Sequence, residues 1–430
     1  MSVPLFFQFQ PRDVDPALFV DRSRQLRWLE GLVTHYLYNR TVDKGLVVAV
    51  LGAKGVGKSI LSRKALGALR DKFGRYVAFV TIDCRRKLSQ RKVLREIADS
   101  LHQELARMKT SGASEVTPEL VDTAAVVKTI ASYTHVKLST LHENLAVFKN
   151  ASNLKVGGKL LDFLRAEFNI AVSRDKQERQ ALEGEVLLDD TTLRESLIQL
   201  LRDVRIQDPK LDVIIYLDNI DELDHDACND ASKREQIRLE TIGLLDLCRA
   251  PVGFVLNMRS YYASSLLRDV DNTYTLESLP PEHMAQMLQV RLAGEREEIR
   301  EVLASDQWSA TLEELSRMAP TPLVFLRWLK YLAEWDEVGR GPIATRLEGY
   351  NNHHVANVSP EQLRVVARIF DPPARTVQRA ELLVACDGRE AMLSQLIHAQ
   401  VVLPRDFWEP NEFTLDPELH YMLIPSEGTP

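Results

Sequence analysis

Gly52-Ala53-Lys54-Gly55-Val56-Gly57-Lys58-Ser59 satisfies the spacing GxxxxGK(S/T) in full. Those residue types at that spacing suit the holding of a chain of phosphates. The glycines let the backbone curl so that its N–H groups face an anion, and a helix opening here adds its partial positive charge. Lys58 is placed to pair with β- and γ-phosphates, and Ser59 to offer a hydroxyl to Mg²⁺. Ile60 completes the stretch expected to contact nucleotide.

A second group lies in Val213-Ile-Ile-Tyr-Leu-Asp218-Asn219-Ile-Asp221-Glu222. An apolar run that ends in acids delivers a carboxylate to a strand end. Asp218 is expected to hold Mg²⁺, through water. A second carboxylate must orient or deprotonate the attacking water. Asn219 cannot act as a base, so Asp221 is the better candidate and Glu222 the next. A third group, Asn257-Met258-Arg259, ends another apolar run, where Asn257 or Arg259 can report whether a γ-phosphate is present.

These groups need a scaffold that brings strand ends together. Gly45–Leu51, Tyr76–Ile82, Val213–Leu217 and Val252–Leu256 read as four short buried strands. Helical spacing fills 23–37, 59–73, 89–108 and 232–249. Alternation of this kind predicts a doubly wound parallel sheet. Thr192 with Glu195 reads as a capping box opening the helix before the third strand. Residues 110–190 read as an insertion, within which Leu154–Val172 fits a β-hairpin and Lys159–Glu167 fits a helix equally well. Beyond 278 the strands stop and 282–350 is helical in pattern. From Ser359 three helices precede two extended pieces, Val401–Leu403 and Phe413–Leu415, which suggests a winged helix. The expected organisation is an α/β P-loop NTPase core over 1–277, an α-helical lid over 278–352 and a winged-helix domain over 353–430.

Composition narrows the setting. No apolar run is long enough to span a membrane, and the first residues lack the pattern of a signal peptide. Cys84, Cys228, Cys248 and Cys386 are scattered, which fits a reducing cytoplasm and neither a disulfide framework nor a zinc site. The net charge of −7 divides unevenly: residues 1–110 carry 21 Lys+Arg and 10 Asp+Glu, a balance of +11, and the remainder sums to −18. A basic front suits an anionic ligand, whether nucleotide or nucleic acid.

The chain resembles the STAND and origin-recognition branch of AAA+-related ATPases. The carriers are Leu18-Phe19-Val20-Asp21-Arg22, GAKGVGKS, LDNIDEL, Val80-Thr-Ile-Asp-Cys84 with Val93–Ile97, and Leu256-Asn-Met-Arg259. Leu279-Pro-Pro-Glu282 with Arg291, and Pro320-Thr-Pro322, resemble the lid of the same class. The resemblance covers nearly all of the chain outside 110–190. Three positions depart from the family pattern: Asp21 stands for Gly, Asn219 for Glu and Pro320 for Gly. The resemblance implies that the Phe19–Arg22 region and Pro322 contact the base. Arg327 is a candidate second sensor, and Arg249 and Arg268 are candidate fingers acting across a subunit interface.

The resemblance further implies an ATP/ADP switch that forms homo-oligomers and acts on a separate effector or partner protein, in bacteria often within anti-phage defence. The alternative is a DNA-associated ATPase of the initiator or transposition-regulator kind. Arg85-Arg86-Lys87 and Arg91-Lys92 favour it, as does an insertion where origin-recognition proteins contact DNA. Charge opposes it. Residues 110–190 carry nine Lys+Arg against twelve Asp+Glu, and 359–430 carry six Arg, no Lys and eleven Asp+Glu. Phosphate contacts require the opposite balance.

Overall fold

The computed structural model describes residues 22–39, 44–85, 89–113, 115–132, 135–137, 185–187, 189–208, 210–221, 230–263, 266–267, 270, 272–293, 297–335, 343–347, 350, 358–359, 363, 366, 368–370, 375–416 and 419–420. Phe19, Glu222, Arg268, Arg86, Lys87 and the stretch Leu154–Val172 lie outside the described residues.

The central sheet has five parallel strands: β1 (Leu46–Leu51), β2 (Val77–Asp83), β5 (Asp212–Asp218), β6 (Gly253–Asn257) and β7 (Asn272–Thr275). They run side by side in the order β2-β5-β6-β1-β7. Both faces are covered, so the strands are apolar at successive positions rather than at alternate ones. Ile214 and Tyr216 join Val48 and Val50 against α1 (Ser23–Asn39) and α2 (Lys58–Phe73). Val213, Ile215 and Leu217 face the opposite side. There they pack among α3 (Gln90–Thr110), α4 (Pro118–Ser132) and α5 (Asp190–Gln207). Ligands of open α/β sheets bind outside the carboxyl ends of the strands. The four sequence-predicted strands are present. The fifth, β7, is an edge strand whose residues alternate between half-buried and exposed. Its sequence NTYT is too polar to announce a strand.

Within the stretch read as an insertion, α4 buries Leu120, Ala124 and Val127 completely against α3 and α5. The departure from the core comes later, where β3 (His135–Lys137) and β4 (Glu185–Leu187) pair antiparallel. One further expectation is corrected. The cap of α5 is Asp189, whose carboxylate accepts from Thr192 N at 2.7 Å. The helix therefore starts one turn earlier than a Thr192 cap would allow. Hydrogen bonds from the Thr192 and Thr191 backbone hold the Asp189 carboxyl below its ordinary range.

A buried ion pair fixes the far end of β5. Arg205 on α5 donates to Asp212 at 3.0 Å, and Tyr36 donates to the same carboxylate. Pairing is what makes a charge tolerable at that depth.

The helix α6 (Ala231–Leu245) precedes β6 and the turn α7 (Ser260–Ala263) follows it; after β7 come α8 (Pro281–Leu292), α9 (Glu297–Leu303), α10 (Asp306–Met318), α11 (Pro322–Trp335) and α12 (Ile343–Arg346). Phe325, Trp328, Leu329 and Leu332 of α11 are buried in a cluster continuous with the sheet core. Next come β8 (Val377–Gln378), α13 (Arg379–Ala385), α14 (Glu390–His398), β9 (Val402–Pro404) and β10 (Glu412–Leu415). The three strands form an antiparallel sheet in the order β8-β10-β9. The extended pieces expected near 401–403 and 413–415 are β9 and β10; β8, two residues long, was not foreseen.

Candidate nucleotide-binding site

The loop between β1 and α2 has the backbone its sequence requires. Gly52, Gly55 and Gly57 have φ of 146°, 83° and 101°, values that L side chains rarely adopt. Space enforces the first two as well. A Cβ on Gly52 would meet Leu276 O at 2.5 Å, and one on Gly55 would meet Leu323 Cβ at 2.3 Å. The Lys58 ammonium donates to the carbonyls of Gly52 and Ala53, each at 2.9 Å. It is thereby held over the loop, between α2 and the strand end.

The ends of β5 and β6 close the site. Ser59 donates its hydroxyl to Asp218 Oδ1 at 2.8 Å. Asn257 Nδ2 donates to Asp218 Oδ1 at 3.2 Å and to the Tyr216 hydroxyl at 2.8 Å. Ser62 in turn donates to Asn257 Oδ1 at 3.0 Å. Ser59, Asp218 and Asn257, predicted from three separate stretches, thus form one hydrogen-bonded chain. Burial, reinforced by the Asp218 charge, pushes the Tyr216 hydroxyl far above its ordinary range. It therefore stays neutral and accepts from Asn257.

Sequence reasoning missed Arg63. It lies one helical turn beyond Ser59, on the same face of α2, and reaches Asp218 Oδ2 at 3.3 Å. That spacing was the available signal.

Asp221 and Arg259 come together, but not as predicted. Asp221 Oδ2 lies 2.8 Å from Arg259 Nε, with side-chain exposures of 3% and 6%. The carboxylate expected to orient water is thus buried beside a guanidinium. The two sensor candidates also separate. Asn257 touches the Asp218 cluster. Arg259 is instead ion-paired with Asp221 and donates to the Tyr261 hydroxyl at 2.8 Å.

The remaining predicted residues frame the loop. Arg22 is buried and donates to the Val56 carbonyl at 3.1 Å and the Glu277 carbonyl at 2.6 Å. Its guanidinium clasps the phosphate loop to the segment after β7. Pro322 begins α11, and the N–H of the next residue, Leu323, donates to Gly55 O at 3.3 Å. The start of α11 therefore sits on the loop tip. Arg249 is bonded to Glu195 and Asp246, ion pairs of the exposed kind worth little.

Asp83 ends β2 beside Asp218, its register partner on β5. Burial alone would raise its carboxyl. Hydrogen bonds from the Arg85 and Asn219 side chains and the Arg85 backbone, with the Arg85 charge, outweigh that and hold it at about 2. Asn219 has a left-handed backbone, φ 58°, which asparagine tolerates.

One family model covers the phosphate loop. The NB-ARC domain model matches residues 30–130, which span β1, the phosphate loop, α2, β2 and α3. The chain carries a P-loop ATPase core, similar over that stretch to the NB-ARC domain. Among solved structures, the Aeropyrum pernix ORC1 protein in complex with DNA is 14% identical, covering 97% of this chain and 95% of that one, with a TM-score of 0.46. The Aeropyrum pernix ORC2 protein, in ADPNP-ADP complexes, is 13% identical over 96% of each chain, with a TM-score of 0.42. A STAND protein with a tetratricopeptide repeat sensor, from Pyrococcus horikoshii, is 11% identical, covering 99% of this chain and 45% of that one, with a TM-score of 0.31. No curated protein matches.

The P-loop ATPase core offers a divalent cation one hydroxyl and one carboxylate, Ser59 and Asp218, already 2.8 Å apart. An all-oxygen, singly anionic donor pair suits Mg²⁺, which keeps several waters and takes its other ligands from phosphates. Among the described residues no group of three or more His, Cys, Asp or Glu could form a protein-only metal cage, and no helix is long and apolar enough to cross a membrane.

The core also touches the C-terminal sheet directly. The helical turn α7 (Ser260–Ala263) follows Arg259. Phe407 N donates to Tyr261 O at 3.1 Å, and the Trp408 indole donates to Tyr262 O at 2.9 Å. The Tyr262 ring stands 5.2 Å from Phe407 and 4.7 Å from Trp408, centroid to centroid. Phe407 and Trp408 lie between β9 and β10. Only two residues, Met258 and Arg259, separate Asn257 from the turn that docks this hairpin.

Proposed function

We propose that this chain is a Mg²⁺-ATP switch, in which the nucleotide state read at Asn257 is passed through Arg259 and α7 to the C-terminal hairpin. The observation that carries the reading is the continuity of contacts from Ser59 to Trp408. Ser59 bonds Asp218, and Asp218 bonds Asn257. Four and five residues on, Tyr261 and Tyr262 hold Phe407 and Trp408.

In this reading Gly52–Ile60 cradle the phosphates, with Lys58 on the β- and γ-oxygens. Ser59 and Asp218 hold Mg²⁺, which when bound would neutralise charge developing on those oxygens. Arg22 braces the loop through Val56, and Pro322 sets α11 over its tip, so a bound nucleotide bridges the core and the lid 278–352. Asp221 positions Arg259. A γ-phosphate that draws Lys58 from its loop carbonyls and Asn257 from Asp218 shifts the end of β6, and packed elements answer by re-docking rather than by stretching.

The output proposed is assembly of ATP-bound copies and contact with a separate partner protein, through a winged-helix-like domain over 353–430. The setting implied by the STAND resemblance is bacterial anti-phage defence. Charge supports a protein partner. Four of the six arginines in 359–430 are paired with carboxylates, Arg375, Arg379, Arg389 and Arg405. In the basic stretch after β2, Arg85 and Arg91 are likewise paired, with Asp83 and Asp190. Paired cations offer less to a nucleic-acid backbone.

Light scattering in Mg²⁺-ATP and in Mg²⁺-ADP, together with duplex-DNA binding at two salt concentrations, tests this reading. ATP-dependent growth in mass without DNA supports it. DNA binding with a steep salt slope and no ATP-dependent assembly replaces it with the DNA-associated reading.

A further inference from the structure

Hydrolysis requires a carboxylate that can receive a hydrogen bond from the attacking water; of the two sequence candidates, Glu222 lies outside the described residues and Asp221 is closed off from water. Asn219 carries an amide. Asp221 is paired with Arg259, its side chain only 3% exposed. The neighbouring strand delivers a different acid. β2 lies beside β5 with Asp83 in register with Asp218, and the ladder continues past both, Cys84 N donating to Asp218 O at 2.8 Å. Parallel neighbours lie about 4.8 Å apart, so Asp83 stands one strand spacing from the proposed metal-side acid. It is also far more open than Asp221, its side chain 35% exposed.

Asn219 and Asp83 form a pair. The Asn219 amide donates to Asp83 Oδ1 at 3.0 Å, aimed there by its left-handed backbone. Arg85 is ion-paired with the same carboxylate and donates to both oxygens, from Nε to Oδ2 at 2.7 Å and to Oδ1 at 3.0 Å, and from its backbone N–H to Oδ1 at 3.1 Å. One carboxylate is thus oriented from two sides while part of its surface stays accessible. Along the carboxyl edge of the sheet the order is Asp83, Asp218, Asn257 and then the phosphate loop on β1. The loop holds phosphate from one end of that row, and Asp83 occupies the other.

We infer that Asp83 is the water-orienting catalytic carboxylate of this ATPase, held in place by Asn219 and Arg85. The inference rests on the ATPase reading above. In the step it serves, the water oxygen bonds to the γ-phosphorus as the bridging P–O bond breaks. The electron pair leaves on ADP, and the water proton departs through its hydrogen bond with Asp83 to the released phosphate. Arg85 and Asn219 are positioning residues, acting through the carboxylate.

The test measures ATP affinity and phosphate release separately, with Mg²⁺-ATP, on the full chain. Wild type should bind and hydrolyse. Asp83→Asn should bind within about threefold of wild type and turn over roughly 100-fold more slowly. Placing Asn219→Asp in the Asp83→Asn background returns one carboxylate to the same hydrogen-bonded pair and should restore most of the turnover. A merely structural Asp83–Arg85 contact would not be restored by that exchange. Turnover within about threefold of wild type in Asp83→Asn overturns the inference. So does loss of ATP binding together with turnover, or an exchange variant that binds ATP and stays inactive. A wild type that binds no ATP overturns the underlying ATPase reading instead.

Discussion

The strand-end cluster and the hairpin dock lie close along the chain but are made of different matter. The cluster is polar: Lys58, Ser59, Asp218 and Asn257 satisfy loop carbonyls and one another at 2.8–3.2 Å. The dock is aromatic: Tyr262, Phe407 and Trp408 stack with centroids 4.7–5.2 Å apart. Polar partners can be exchanged for phosphate and cation with little net cost, because each bond lost is replaced. Interlocked rings have no such graded alternatives. They are packed or they are apart. The first region suits the reception of a signal and the second its conversion into two states.

Four variants break or sharpen that contrast. The largest expected effect belongs to Lys58→Ala, which strips the cluster of the charge that meets the phosphates. ATP affinity should fall by about 4 kcal/mol, roughly a thousandfold, in calorimetric titration. An affinity close to wild type would remove Lys58 from the site. Next is Phe407→Ala. The ring is 3% exposed, and its loss should destabilise the C-terminal sheet by about 3 kcal/mol in urea unfolding. ATP affinity should hold. A matching fall in affinity would show that the two regions are one.

Tyr261→Phe removes the hydroxyl that receives Arg259 at 2.8 Å. It should cost about 1 kcal/mol, visible as a small loss in melting temperature, while leaving the ring stack intact. Melting unchanged within error would mean that Arg259 finds another acceptor.

The smallest effect concerns pH. Asp83 is held at about 2, below an aspartate's ordinary 3.8. A carboxyl depressed on folding contributes stability above its unfolded value and loses it as pH falls through the folded one. Stability should therefore decline between about pH 4 and pH 2, and Asp83→Asn should flatten that part of the curve. Equal slopes in the two proteins would show that Arg85 and Asn219 do not hold the carboxylate as described.

How much of this was legible in the sequence follows from locality. The phosphate loop was, because glycines, Lys58 and Ser59 are consecutive and the strand and helix around them announce themselves. Asp218 was, because an apolar run ending in acid needs no knowledge of neighbours. Asp83 was not, because its meaning depends on β2 lying beside β5, a pairing between residues about 135 apart that hydrophobic pattern cannot rank. Asp221 is legible by spacing, but its partner Arg259, from a different strand end, is not. Asp189 was passed over for Thr192 because both are good caps and only the start of the helix decides between them. The hairpin dock was the least legible: Phe407 and Trp408 read as loop residues until α7 is placed beneath them.

The central claim is that the cluster drives the dock. Hydrogen exchange at residues 260–263 and 402–415 tests it most directly, compared between Mg²⁺-ATP and Mg²⁺-ADP, in wild type and in Lys58→Ala. The account predicts that protection of both segments differs between the two nucleotides in wild type and is identical in Lys58→Ala. Wild-type protection that is the same in ATP and ADP, with both nucleotides shown to be bound, would contradict it.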